Sequence, residues 1–163
     1  MKIDKIDLKI LKELQENSKI TNIELSKKIG LSAAPTLGRV QKLEKSGLLL
    51  SYHAQVNKEM LGLGFSALIQ VSLTRQISNA MQNFITQINQ IDSIVECYQL
   101  TGNFDYQLKV VVPDIPAFDK LITERLSKIE EIRQMQTMVV LSCVKSSPIL
   151  PIDYNRPHKL KES

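Results

Sequence analysis

No stretch of the sequence approaches the roughly 18 consecutive apolar residues of a membrane span, which argues against a membrane class. The start, Met1-Lys2-Ile3-Asp4-Lys5, carries charge where a signal peptide places its apolar run, so the protein is expected in the cytoplasm. Cysteine is scarce: Cys97 and Cys143 lack metal-ligand spacing and lie in apolar alternating segments, so both are expected to be core thiols. Histidine is equally scarce, with His53 and His158 alone, and no paired carboxylates or nucleophile motif accompanies them. Acid/base catalysis therefore has no candidate machinery, and neither a metal nor a cofactor is expected.

What remains is an ordinary folding composition, 43% hydrophobic and 23% charged over 163 residues, long enough for two small domains. The net charge of +4 is unevenly placed. Residues 1–56 hold ten basic side chains against six acidic ones, and the remainder holds eleven against eleven. Only the N-terminal third is prepared for a polyanion.

That third carries a succession of helix signals. Asp4 can cap a helix whose apolar positions Ile6, Ile10, Leu11 and Leu14 recur at helical spacing. Thr21-Asn22-Ile23-Glu24 has the form of a capping box for a short second helix ending near Ile29. Gly30 offers the left-handed conformation that stops it, and Ser32 is placed to cap a third helix with Pro35 in its first turn. Two helices joined by so short a glycine turn make a helix-turn-helix. On the third helix Leu37, Val40 and Leu43 are expected to face inward. Gly38, Lys42 and Lys45 lie opposite, with Arg39 at the edge and Ala34 and Pro35 extending the face. Small side chains at the N-terminal end allow close approach to base edges, and the basic ones suit phosphates or guanine. The candidate contacts with double-stranded DNA are Ser32, Ala34, Pro35, Thr36, Gly38, Arg39, Lys42 and Lys45. From Leu48 to Val56 the pattern predicts a strand or small wing, in which Tyr52 and His53 either touch DNA or pack on the third helix.

The C-terminal two-thirds read as β, α, β, β, α, β. Phe65, Ala67, Ile69, Val71 and Leu73 alternate as one buried face of a strand, and Ala80–Ile91 changes to helical spacing. Segments 94–101 and 105–112 form a hairpin about Gly102-Asn103. Pro113 and Pro116 bracket the start of a helix carried by Phe118, Leu121, Ile122 and Leu126, and a last strand is expected over Thr137–Val144. The fold class is α+β, with an N-terminal winged helix-turn-helix followed by a ferredoxin-like βαββαβ domain. The divisions are 1–56 for the DNA-binding domain and connector, 57–152 for the second domain, and 153–163 for a polar tail. That tail, with Arg156, His158, Lys159 and Lys161, is expected to be disordered. Apolar residues such as Leu68 on the open face of the sheet call for burial against a second copy, hence a homodimer.

Read in order, Asp4-Lys5-Ile6-Asp7, Asn22-Ile23-Glu24-Leu25-Ser26, Ile29-Gly30-Leu31-Ser32, Arg39-Val40 with Leu43-Glu44 and Gly47, and Thr101-Gly102-Asn103-Phe104-Asp105-Tyr106 resemble the Lrp/AsnC regulators. The resemblance covers nearly the whole chain. It implies a helix-turn-helix over about residues 22–41, assembly of dimers into tetramers or octamers, and a small effector, commonly an amino acid, bound between dimers near the Gly102 turn. Thr101, Gly102, Asn103, Asp105 and Thr137 are the effector-binding candidates it implies, with Asp105 for an ammonium group and the turn amides and Thr137 for a carboxylate. The same Gly-Asn pair is also plain hairpin-turn chemistry, which needs no ligand. The chain departs from the family pattern at Ala33, Gly38 and Asn103, where the family usually has Pro, a larger residue and Asp. Two other readings are a decarboxylase of the same two-domain shape, for which the acid/base groups are missing, and an architectural protein that coats DNA without sequence preference.

Overall fold

The computed structural model describes residues 3–74 and 79–154, so Arg156, His158, Lys159 and Lys161 of the expected tail lie outside the described residues. The chain divides into two compact units, residues 1–55 together with the stretch from Lys145 onward, and Val56–Val144.

The first unit is built on three helices, α1 (Lys5–Glu16), α2 (Asn22–Ile29) and α3 (Ala33–Lys45). Each start is fixed locally. Asp4 accepts the amides of Ile6 and Asp7, while Asp7 returns the bond to the Asp4 amide, a complete capping box. Thr21 and Glu24 form a second one. Gly30, at φ +76°, closes α2 in the left-handed conformation expected of it. Ser32 behaves differently from the expectation: its side chain makes no capping bond, and its carbonyl instead accepts the Thr36 hydroxyl at 2.9 Å. The start of α3 is tied to α2 by the Asn22 carboxamide, which donates to the Ala33 carbonyl at 2.8 Å. Ile10, Leu14, Leu25, Ile29 and Leu43 form the core, with Val40, Leu48 and Leu49 packed against it.

After α3 no strand forms over residues 48–57, and Leu50 and Val56 are exposed. A strand needs a partner for its backbone, and none pairs with this segment among the described residues.

In the second unit, β1 (Phe65–Leu73), β2 (Ile94–Gln99), β3 (Tyr106–Val112) and β4 (Ile132–Val139) make an antiparallel sheet of order β2-β3-β1-β4. Helices α4 (Ala80–Ile88) and α5 (Ile115–Glu124) complete the ferredoxin-like order. The inward residues of β1 are those expected, and Ile69, Val71, Leu108 and Val110 are fully buried with Phe84, Ile88 and Leu121 from the helices. Tyr106 packs on Phe84 with ring centroids 4.9 Å apart.

Three expectations are corrected here. The last strand begins five residues earlier than expected, at Ile132, and leaves Leu141 and Val144 almost fully exposed. Helix α4 ends at Ile88 rather than Ile91. Both cysteines are exposed rather than core, because Cys97 lies on the edge strand β2 and Cys143 follows the end of β4.

Candidate DNA-reading face and effector turn

Helix α3 buries Thr36 and Leu43 and half-buries Val40, a stripe of i, i+4 and i+7 spacing. This differs from the expected stripe by one position at its start. Leu37 is 48% exposed, and Thr36, taken as a DNA contact, is 0% exposed with its hydroxyl committed to Ser32. The polar residue goes inward because a hydroxyl that bonds back to its own helix removes most of the cost of burial. Thr36 is therefore removed from the contacting set.

The remaining candidates divide by their freedom. Ser32, Ala34, Pro35, Gly38, Lys42 and Lys45 are all exposed. Gly38 opens onto free space, since a Cβ added there would meet nothing within 4 Å. Arg39 is held differently: its Nη1 lies 2.7 Å from both Asp4 Oδ2 and Asp7 Oδ1, and the Asp7 side chain is only 3% exposed. Burial works against a charged Asp4, yet the Asp7 amide and the Arg39 guanidinium outweigh it and lower its pKa. Hydrogen bonds to the two carboxylates raise that of Arg39 in turn. The arginine assigned to phosphate or guanine thus joins α3 to the start of α1. Helix spacing also supplies a residue that the sequence reading missed. Gln41 is exposed one turn after Gly38 and one before Lys45, and a helical wheel drawn about the Thr36–Leu43 stripe places it on the flank of the outer face beside Leu37.

Beyond α3, Tyr52 donates its hydroxyl to Glu44 at 2.8 Å, so it packs on the C-terminal turn of the helix. Burial, and then the Glu44 carboxylate, push its pKa up to about 12. His53 pairs with the Ser51 hydroxyl at 2.7 Å.

The turn of the second unit is pinned to the end of β1. Asp105 accepts the Leu73 amide through Oδ2 at 2.8 Å, donates its own amide to the Val71 carbonyl at 2.9 Å and accepts the Leu100 amide at its carbonyl. Ser72 donates to the Asn103 carbonyl at 3.1 Å. Gly102, at φ +121°, occupies backbone space that a side chain rarely tolerates. Thr101, Gly102 and Asn103 are exposed, and Asp105 is half-buried. Asp105 also borders a cleft of about 360 Å³ lined in part by Leu73, Asn79, Leu100 and Tyr106.

The fifth candidate is not brought to the turn within one chain. Thr137 pairs with Ile69 on the far side of β1, while Tyr106, next to Asp105, pairs with Val71 on the near side. Strand spacings put Thr137 and Asp105 roughly 10–15 Å apart. Among the described residues no group of three or more His, Cys, Asp or Glu is placed to hold a metal, and no helix is long and apolar enough to cross a membrane.

Comparison with known proteins identifies both domains. Residues 3–49 match the family model for a winged helix-turn-helix DNA-binding domain, and residues 66–150 match that of the Lrp/AsnC ligand binding domain. The leucine-responsive regulatory protein of Haemophilus influenzae is 39% identical over 91% of this chain and 89% of that protein. A transcriptional regulator of Neisseria meningitidis, solved as a complex with L-Met, superposes with a TM-score of 0.88 at 35% identity, covering 91% of this chain and 96% of the other. An AsnC family regulator from Agrobacterium tumefaciens gives the same TM-score at 31% identity, over 94% and 99% of the two chains. These relatives are regulators and not enzymes. A DNA-binding helix-turn-helix and a ligand-binding βαββαβ domain, matched along almost the whole chain, place this protein in the Lrp/AsnC family of transcriptional regulators.

Proposed function

We propose that the protein works in the cytoplasm as a sequence-specific regulator whose grip on DNA changes when a small molecule, an amino acid in the first instance, binds near the Gly102 turn. The observation that carries the reading is the exposed α3 face. Ala34, Pro35 and Gly38 leave its N-terminal half without bulk, and Lys42 and Lys45 supply exposed positive charge beyond it. In this assignment Lys42 and Lys45 take phosphates, and Ser32, Ala34, Pro35 and Gly38 line the groove.

For the effector, the Asp105 oxygen that does not accept Leu73 receives an ammonium group, and the exposed backbone about Thr101, Gly102 and Asn103 receives a carboxylate. The bound L-Met of the Neisseria regulator supports this chemical class. Thr137 joins the site only if a second copy supplies it. Assembly starts from a homodimer through the outer sheet face, where Leu68 pairs with Met138 and neighbours Val111, and continues to a tetramer or octamer. That face is more polar than the sequence suggested, because Gln107, Gln70 and Gln136 form a row across three strands.

The test is binding of the full chain to its own upstream region against scrambled DNA of equal length, at near-physiological salt, with and without amino acids. A preference well beyond about tenfold that an amino acid alters supports the proposal. Equal binding to both duplexes refutes sequence-specific regulation. Lys42→Ala with Lys45→Ala should weaken binding without unfolding the protein and reduce the salt slope by about two; undiminished affinity would remove α3 as the DNA-contacting helix.

A further inference from the structure

We propose that Gln41 is the specificity-determining side chain of α3, reading an adenine edge in the major groove through its carboxamide. The assignment rests on the chain being a sequence-specific binder.

It follows from what the outer face holds. With Thr36, Val40 and Leu43 turned inward, the opposite face carries, besides Lys42 on its far flank, four residues: Ala34, Gly38 and Lys45 near its centre and Gln41 on the flank beside Leu37. Ala34 and Gly38 have no hydrogen-bonding side chain, and Gly38 faces open space. Lys45 ends the helix as a point charge with three donors and no acceptor, a group suited to phosphate. Gln41 alone among the four offers a donor and an acceptor in one plane, the pair that adenine N7 and N6 require. Its carboxamide is exposed and makes no hydrogen bond among the described residues.

The flanks favour the same base pair. Leu37, 48% exposed on one side of Gln41, is an apolar partner suited to a thymine methyl group. The guanine-reading fork is missing from the face, because Arg39 is the only arginine of α3 and both carboxylates of the α1 capping box hold it. Bare positions at Ala34 and Gly38 let the helix axis approach the groove floor, which brings a side chain one turn further along within reach of a base. A larger residue at position 38 would hold the backbone away and take the contact itself.

The experiment is enrichment of binding sites from randomised duplexes by the full-length protein and by Gln41→Ala and Gln41→Glu, with circular dichroism melts and salt slopes measured on all three. The wild type should fix an adenine at one position of each half-site, where replacing it weakens binding by about tenfold. Gln41→Ala should leave that position degenerate and the rest of the site intact, with an unchanged salt slope, since no phosphate contact is lost. Gln41→Glu should move the preference to cytosine, whose exocyclic amine donates to a carboxylate. A site enriched unchanged by both variants overturns the Gln41 assignment and leaves sequence-specific regulation standing. A wild type that binds tightly and enriches no sequence overturns both.

Discussion

Replacing Arg39 with Ala separates a structural clamp from a DNA contact. The guanidinium makes two bonds of 2.7 Å, and the two differ in worth. Asp4 is 51% exposed, so its share is that of a surface pair, about 0–1 kcal/mol. Asp7 is 3% exposed and keeps only its bond to the Asp4 amide once the arginine is gone. Stranding one partner of a buried pair costs about 3–5 kcal/mol. Arg39 itself is 30% exposed, so water can replace part of what is lost, and the total falls to about 2–3 kcal/mol. Urea denaturation should show this as a lower midpoint at unchanged slope. Asp7→Asn should also destabilise, because its single carbonyl oxygen can replace only one of the two carboxylate oxygens that accept from the Asp4 amide and Arg39. The double variant should lose less than the sum of the two by about 1 kcal/mol or more. DNA supplies the second readout: the slope of log affinity against log salt should stay the same in Arg39→Ala, whereas removal of a phosphate contact would lower it by about 0.9. Stability within about 0.5 kcal/mol of the parent, together with that lower slope, would falsify the clamp and return Arg39 to the DNA-contacting set.

Two further consequences concern the same unit. Gly38→Ala should stabilise the protein by about 0.5–1 kcal/mol in denaturation, since the position is helical and its new methyl meets no atom within 4 Å. Destabilisation would show that the backbone there is not plain helix. Tyr52 is held protonated up to about 12 against an ordinary value of 10.0. A raised folded pKa means that its contribution is complete below pH 10 and disappears as pH rises through 12. Denaturation midpoints from pH 9 to 12 should therefore fall more steeply in the parent than in Tyr52→Phe; parallel curves would remove the Glu44 contact from the account.

The parts of this fold that are legible in the sequence are those fixed within a few residues of themselves. Asp4, the Thr21–Glu24 pair and Gly30 set helix ends through their own neighbours, and the structure places each in the expected role. The alternation of Phe65 to Leu73 likewise identifies its own buried face. Errors arise where a distant partner decides. Within residues 132–144 the apolar side chains concentrate from Met138 onward, and the sequence favours that more apolar end. Pairing with β1 instead selects Ile132–Val139, because only there do Leu73, Val71, Ile69 and Ala67 find partners in register. Thr36 and Leu37 exchange roles for a similar reason. Apolar character suggests Leu37 as the inward residue, but the angle at which α3 meets α1 and α2 turns Thr36 to the core. The Arg39 clamp joins residues more than thirty positions apart, so periodicity gives no sign of it.

The effector candidates do not all adjoin one another within one chain. Asp105 has already committed one carboxylate oxygen and its backbone amide to β1, so the turn is rigid before any ligand arrives. Thr137 lies across β1, with its backbone roughly 10–15 Å from that of Asp105, so the two do not adjoin within one chain. A ligand that took the two residues from different copies would contribute to the stability of the assembly itself. An effector that changed how many copies associate, or their spacing, would alter which pairs of α3 helices could engage one duplex together.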